Sequence, residues 1–171
     1  MGVDAASFRR ALGQFASGVT VVTTRDASGR PQGLTVSAFC SVSLHPPLVL
    51  VCIDHRSDDA NAGVRESGQF AVSVLAEDQE DVSRRFAAHG RAKLENFPFV
   101  EGRHGLPLVP GAIAHLECRV RSWHDEGDHS VWVGEVRALA VHPGRPLLHH
   151  AGAYGAFSPA GRTGKADDDR L

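Results

Sequence analysis

Val19-Thr20-Val21-Val22-Thr23-Thr24, the turn Asp26-Ala27-Ser28-Gly29 and the return Gly33-Leu34-Thr35-Val36-Ser37-Ala38-Phe39 decide the fold. Six consecutive β-branched residues favour an extended backbone, because two substituents on Cβ restrict χ1 in a helix but pack well on a pleated surface. Asp, Ser and Gly after them supply turn chemistry. A hairpin therefore opens a sheet.

Working outward, further strand-type runs occur at Ser41 to Leu44, at Leu48 to Ile53 after the Pro46-Pro47 break, and at Phe70 to Leu75. Two longer ones, Ala112 to Trp123 and Val131 to Val141, flank a polar turn. Helices are the minority. Asp4 is a suitable N-cap for a first helix that puts Phe8, Leu12 and Phe15 on one face. Ser57-Asp58-Asp59 has capping chemistry for a second, Asp58 to Glu66, and a third runs from Glu77 to Ala88 with Val82, Phe86 and Ala87 on one side. Gly90 to Gly111 reads as a Gly- and Pro-rich loop long enough to carry function. The pattern predicts a mostly β barrel or sandwich with helical caps. One domain is expected over residues 1–157, followed by a flexible tail, 158–171, with three consecutive aspartates and almost nothing apolar.

The chain has 171 residues, 42% of them hydrophobic, and 18 Lys and Arg against 20 Asp and Glu for a net charge of -2. A near-neutral balance exerts no long-range pull on phosphate backbones or anionic lipid, so neither nucleic acid nor a membrane is expected as a partner. The longest apolar run, Leu48 to Ile53, is far short of the roughly 20 residues of a membrane helix. The first residues lack the apolar stretch of a signal peptide, and Ala6 spoils a myristoylation pattern. A cytoplasmic location is expected. Cys40, Cys52 and Cys118 are odd in number with no C-x-x-C pair, and are expected as reduced, buried thiols.

No G-x-G-x-x-G, H-E-x-x-H or G-x-S-x-G motif is present. Gly164-Lys165 fails as a phosphate loop, with Pro159 where the first glycine belongs and Ala166 in place of a hydroxyl. His124-Asp125-Glu126-Gly127-Asp128-His129 is rich in metal-binding side chains, but all fall in one turn, so it reads as solvated and no metal site is expected. His149 and His150, adjacent on a strand, face opposite sides.

Two segments are candidates for ligand binding. Between Thr35 and Ser43, hydroxyls alternate with apolar residues, which suits either a strand with a solvated face or a surface where a flat ring lies close to the backbone. In Cys52-Ile53-Asp54-His55-Arg56-Ser57 a buried strand runs out before a helix N-terminus, which suits either a phosphate or an ordinary cap.

Taken together, the ordered series Phe15-Ala16-Ser17-Gly18-Val19, Gly33 to Phe39, Ser41-Val42-Ser43-Leu44, Pro46-Pro47-Leu48-Val49, Phe86-Ala87, Gly111-Ala112, Leu116-Glu117-Cys118, Gly127-Asp128-His129, Gly134-Glu135-Val136 and Tyr154 resembles the flavin reductase-like family. The resemblance runs from about Phe8 to Phe157. It implies an FMN-binding split β-barrel of Greek-key type that carries hydride from NADH or NADPH to FMN or FAD. It further implies a homodimer, and a partner monooxygenase that receives the reduced flavin. By position, it implies that Thr35, Val36, Ser37 and Ala38 lie along the flavin, with Ser41 and Ser43 as further candidates. Cys52, Ile53, Asp54 and Ser57 then border the flavin, Ser57 toward its phosphate, and Phe86, Ala87 and Arg91 close the phosphate or adenine side. Asp128 and His129 meet the nicotinamide, His129 as the catalytic residue, and Tyr154 shapes the pocket edge. Glu95-Asn96-Phe97 departs from the family's usual Asp before Phe. The alternatives are an oxidase or oxygenase that retains its flavin on a related barrel, and a flavin carrier without activity.

Overall fold

The computed structural model describes residues 2–159. Asp4 caps α1 (Ala5–Leu12) by accepting from the Ser7 N–H at 2.9 Å. After β1 (Ser17–Gly18) come the hairpin strands β2 (Thr20–Arg25) and β3 (Pro31–Val36). One oxygen of Asp26 holds their turn, accepting from the Ser28 hydroxyl and the N–H groups of Ser28 and Arg30. These bonds, the Ser28 hydroxyl first, keep its carboxyl far below the usual carboxylate range.

The chain continues through β4 (Phe39–Leu44), β5 (Pro47–Asp54), α2 (Asp58–Ser67), β6 (Gln69–Val74) and α3 (Glu80–Ala87). It then forms the short pair β7 (Val100–Glu101) and β8 (Pro107–Leu108), the long pair β9 (Ala114–Glu126) and β10 (His129–Val141), and the final hairpin β11 (Leu147–His150) and β12 (Ala153–Ala156). Seven strands make one antiparallel sheet in the order β3-β2-β6-β9-β10-β5-β4, while β1 joins the final hairpin. β3 and β4 stand at opposite edges of the seven, yet only Ser37 and Ala38 separate them in sequence. Such a link spans at most about 10 Å. The sheet must therefore curl until its edges meet at residues 36–39, and the Cys52 N–H pins that crossing by donating to the Ala38 carbonyl at 3.0 Å.

The curled sheet buries both faces. Inside it, Val22, Leu34, Val36, Val49, Val51, Ile53, Phe70 and Trp132 form one core with Val64 of α2, and Trp132 Nε1 donates to Asn61 Oδ1 at 3.0 Å. Gly134 has no side chain because an added Cβ would stand 2.5 Å from the Phe70 ring. Outside it, Val19, Val21, Leu75 and Leu147 pack under Phe86 of α3, which meets the rings of Phe97 and Phe99 at centroid distances of 4.9 and 5.9 Å. Truncating a buried phenylalanine of this kind costs roughly 3–5 kcal/mol.

Several elements differ from the sequence expectation. The 90–111 segment is packed rather than structureless. It holds a 3₁₀ turn, Arg91–Leu94, and the β7–β8 pair, because Phe97 and Phe99 dock on Phe86 and the buried Glu117 carboxylate accepts from the N–H groups of Arg103 and His104 at 2.8 Å. The third helix begins at Glu80, since the Gln79 side chain accepts from the Ala76 N–H and draws the preceding residues into a turn. The β11–β12 hairpin carries too little apolar alternation to be read locally. Among the thiols only Cys118 is buried; Cys52 is half-buried, and Cys40, on the edge strand, is exposed. Ser158 and Pro159 are exposed, and the rest of the expected tail lies outside the described residues. No helix among the described residues is long and apolar enough to cross a membrane.

Candidate functional site

Where the sheet edges meet, a cleft of about 210 Å³ opens. Residues 34–38 line it together with Cys52 and Asp54 at the end of β5, Ser57, Ala87 at the end of α3, Ala88 and His89 just after it, Lys93 and His129. Alternation along β5 explains which residues arrive: Val49, Val51 and Ile53 point into the core, so Cys52 and Asp54 point out of it. A second cleft of about 230 Å³ shares Ser57, His89 and Lys93 with the first and runs past Gln32 and Gly33 to Arg56, Asp59 and Arg91. Beyond Ser37 and Ala38 lies a more apolar hollow of about 480 Å³ lined by Leu12, Phe15, Phe39, Cys40, Leu50 and His149.

The polar groups are arranged with few loose ends. Thr35 Oγ1 donates to the Ser83 carbonyl at 2.7 Å, which ties β3 to α3. Among the described residues the N–H groups of Ser37 and Ala38 have no protein partner. Ser57 precedes α2, and its carbonyl accepts from the N–H groups of Ala60 and Asn61, but its side chain makes no capping bond. The hydroxyl is left for the cleft. Asp54 is clamped by Arg56, through its side chain and its N–H, and its carboxyl is held far below the usual range. His129 Nδ1 lies 2.7 Å from Asp128 Oδ1, which lowers the Asp128 carboxyl. Lys93 Nζ donates to the Phe86 carbonyl at 3.3 Å, and burial lowers its amine pKa because a charged amine loses hydration there. Burial likewise raises the Cys52 thiol, so no reactive thiolate faces the cleft.

Of the residues singled out in the sequence, Thr35, Val36, Ser37, Ala38, Cys52, Asp54, Ser57, Phe86, Ala87 and His129 border the first cleft, and Arg91 the second. Val36 and Phe86 do so from the core, with their side chains packed inside. Five others lie elsewhere. Ile53 is fully buried, because a strand cannot turn three consecutive side chains to one side. Ser41 and Ser43 continue along β4 away from the crossing, and the Ser43 hydroxyl accepts from the His45 N–H at 3.2 Å. Tyr154 stands behind α3, its hydroxyl 2.8 Å from Ser83 Oγ. Asp128 projects into solvent and reaches the cleft only through His129. Ala88, His89 and Lys93 escaped the sequence reading. The only local signal for Lys93 was a second cation shortly after Gly90, and its burial comes from tertiary packing.

Residues 12–158 match the family described as the flavin reductase like domain. The chain belongs to this family. Among its flavin reductase relatives, an FMN reductase (NADH), SmoA, of Agrobacterium fabrum is 44% identical over 92% of this chain and 88% of the relative. The flavin-dependent monooxygenase reductase subunit HsaB of Rhodococcus jostii is 39% identical over 92% of this chain and 80% of its own length. Among solved flavin reductase structures, the Streptomyces globisporus NADH:FAD oxidoreductase SgcE6, in complex with NAD and FAD fragments, superposes with a TM-score of 0.80 at 40% identity, covering 91% of this chain and 94% of that one.

Proposed function

We propose that this protein is an NADH-dependent flavin reductase that binds a flavin and a nicotinamide dinucleotide together in the first cleft and supplies the reduced flavin to a partner monooxygenase. The observation that carries the reading is a groove that offers backbone N–H groups at Ser37 and Ala38 without a partner among the described residues, lined by methyl-sized Ala38, Ala87 and Ala88 and bordered by the Lys93 amine and the Ser57 hydroxyl. A tricyclic ring fits such a surface, because small side chains let it approach the backbone and fixed N–H donors meet its carbonyl edge. When bound, the flavin supplies the hydride acceptor, so no protein nucleophile is required.

The chain's own residues bind, orient and exclude water. Ser37 and Ala38 donate to the ring edge, and the tie from Thr35 to Ser83 keeps β3 at a set distance from Ala87 and Ala88. Ser57 and Lys93 take the phosphate, Lys93 the more firmly because its charge is partly dehydrated. His129 orients the nicotinamide. With Nδ1 engaged by Asp128, its Nε2 is the ring nitrogen left for a ligand. Both FMN and FAD appear in the names of relatives, and NADH in each that names a nicotinamide.

The curled sheet is a split barrel in this reading, one domain over residues 1–157, acting in the cytoplasm as a homodimer. Exposed Phe8, Leu12 and Phe15 beside the apolar hollow are the face a second copy covers. Loss of NADH absorbance on mixing with FMN or FAD tests the activity. Turnover of free flavin is expected. A protein that binds flavin but leaves NADH unconsumed overturns the reading in favour of a carrier, and one that purifies yellow yet reduces free flavin poorly overturns it in favour of a flavin-retaining oxygenase.

A further inference from the structure

Resting on the flavin reductase reading and its assignment of His129 to the nicotinamide, we infer that His55 is a positioning residue for hydride transfer, pinning the β9–β10 turn that carries His129. That turn needs a brace. β9 has β6 as its outer neighbour only as far as Arg119, and β10 has β5 only as far as the rung His129–Asp54. Residues 121–128 are all exposed. A tip with so few buried contacts is among the parts of a fold that open most easily. Arg65 braces its base, with the guanidinium 4.0 Å from the centre of the Trp123 ring, but Trp123 lies well before the turn.

His55, the first residue past β5, reaches both arms of the turn. Its N–H donates to the Asp128 carbonyl at 2.9 Å, and its Nε2 lies 3.4 Å from Asp125 Oδ1. The same Asp125 oxygen accepts from the Ser130 hydroxyl at 2.6 Å. Residues 128 and 130, on either side of His129, are therefore tied to His55, one directly and one through Asp125. Although the ring is partly exposed, Nε2 is shut off from solvent and makes no hydrogen bond of ordinary geometry. Asp125 is the one acidic residue within ion-pair distance of it among the described residues. Two acceptors so placed would repel, so Nε2 carries its proton toward the carboxylate. A donor shut off from water costs free energy unless an acceptor faces it, so the carboxylate is what holds the ring across the turn. Arg56 engages Asp54, and the His129 imidazole engages Asp128, which leaves Asp125 to His55. The acidic run at residues 124–129 is thus a fastening and not merely a solvated turn.

Rapid mixing of the full chain, saturated with FMN, against NADH tests this, with FMN affinity measured on the same samples. His55→Phe fills the space without a donor. It is expected to slow flavin reduction by roughly 10-fold while FMN affinity stays within about two-fold, since a misplaced reacting group costs rate more than binding. His55→Gln, which offers an N–H near the same place, is expected to recover most of that loss. Asp125→Ala is expected to slow reduction at least as much as His55→Phe, and the double variant to be no slower than Asp125→Ala alone, because both remove one interaction. H55F reduction as fast as wild type overturns the inference, as do equal losses of rate and FMN affinity, H55Q as slow as H55F, or losses that add in the double variant. A wild-type protein that consumes no NADH with FMN or FAD overturns the underlying reading instead, and an unchanged rate in His129→Ala overturns the role of His129 on which the inference rests.

Discussion

Ser83 on α3 holds both Thr35 and Tyr154: its carbonyl accepts from Thr35 Oγ1 at 2.7 Å, and its hydroxyl lies 2.8 Å from the Tyr154 hydroxyl. One buried residue thus fastens β3 and the final hairpin to the same helix. Thr35→Val keeps the shape and removes one bond to a carbonyl that the helix already satisfies, which costs about 0.5–1.5 kcal/mol. The melting temperature is expected to fall by roughly 2–4 °C per kcal/mol for a chain of this size, and the KM for flavin to rise with it. Unchanged melting and unchanged KM would show that this tie does not position α3 beside the cleft.

His129 and flavin affinity should separate. On the proposed reading, His129→Ala removes the group that orients the nicotinamide and leaves the partners of the flavin phosphate in place. Single-turnover reduction is expected to slow by roughly 10- to 100-fold, while flavin affinity changes less than two-fold. Equal losses in both would assign His129 to flavin binding alone. Asp128→Asn should reproduce part of the rate loss, since Asp128 holds the imidazole through Nδ1.

His115 makes the fold sensitive to acid. It is buried on β9, with Ser73 Oγ 3.2 Å from Nδ1 and with His142 and Glu117 nearby. Burial first, then repulsion from His142, pulls its pKa below the ordinary 6.5. The unfolded chain therefore takes up the proton before the folded one does. This contribution to stability is complete above pH 6.5 and is lost as the pH falls through the lower folded value. Thermal melts from pH 7.5 down to 5 are expected to show a decline that flattens in His115→Gln. Asp54 and Asp128, with lowered carboxyls, act in the same direction only below about pH 4.

The three cysteines should label in the order Cys40, Cys52, Cys118. Exposure favours the first, while burial raises the thiol of the second and pushes the third up to about 12 from an ordinary 9.0. Mass spectrometry after timed alkylation reads the order directly. Because the folded Cys118 keeps its proton where the unfolded one loses it, stability is expected to fall as the pH rises from 9 toward 12, and less so in Cys118→Ala.

The α1 face offers a test of assembly. Phe8 and Leu12 of α1, and Phe15 just beyond its end, are 57%, 55% and 76% exposed, and on the proposed reading a second copy covers them. Light scattering is expected to give a dimer for the wild type and a monomer for Leu12→Glu. A wild-type monomer would contradict the assignment of this face.

Local chemistry made much of the molecule legible from the sequence. The β-branched run at residues 19–24, the Asp26 turn and the Asp4 cap depend on contacts within a few residues, so the order of residues is enough to reveal them. Stretches 35–38 and 52–57 could be singled out because small, hydroxyl-bearing or charged residues where a strand ends are unusual chemistry in themselves. The division of labour within them could not. Whether Cys52 or Ile53 faces the cleft depends on which side of β5 the core occupies. Whether Ser41 and Ser43 reach the site depends on where the two sheet edges meet, and Lys93 becomes half-buried only because its turn docks against Phe86. Hydrogen bonds and side-chain alternation are short-range and leave a mark along the chain. A cavity is the space left between segments far apart in the chain, and only the meeting of the two sheet edges at residues 36–39, fixed by packing on both faces of the sheet, decides where that space lies.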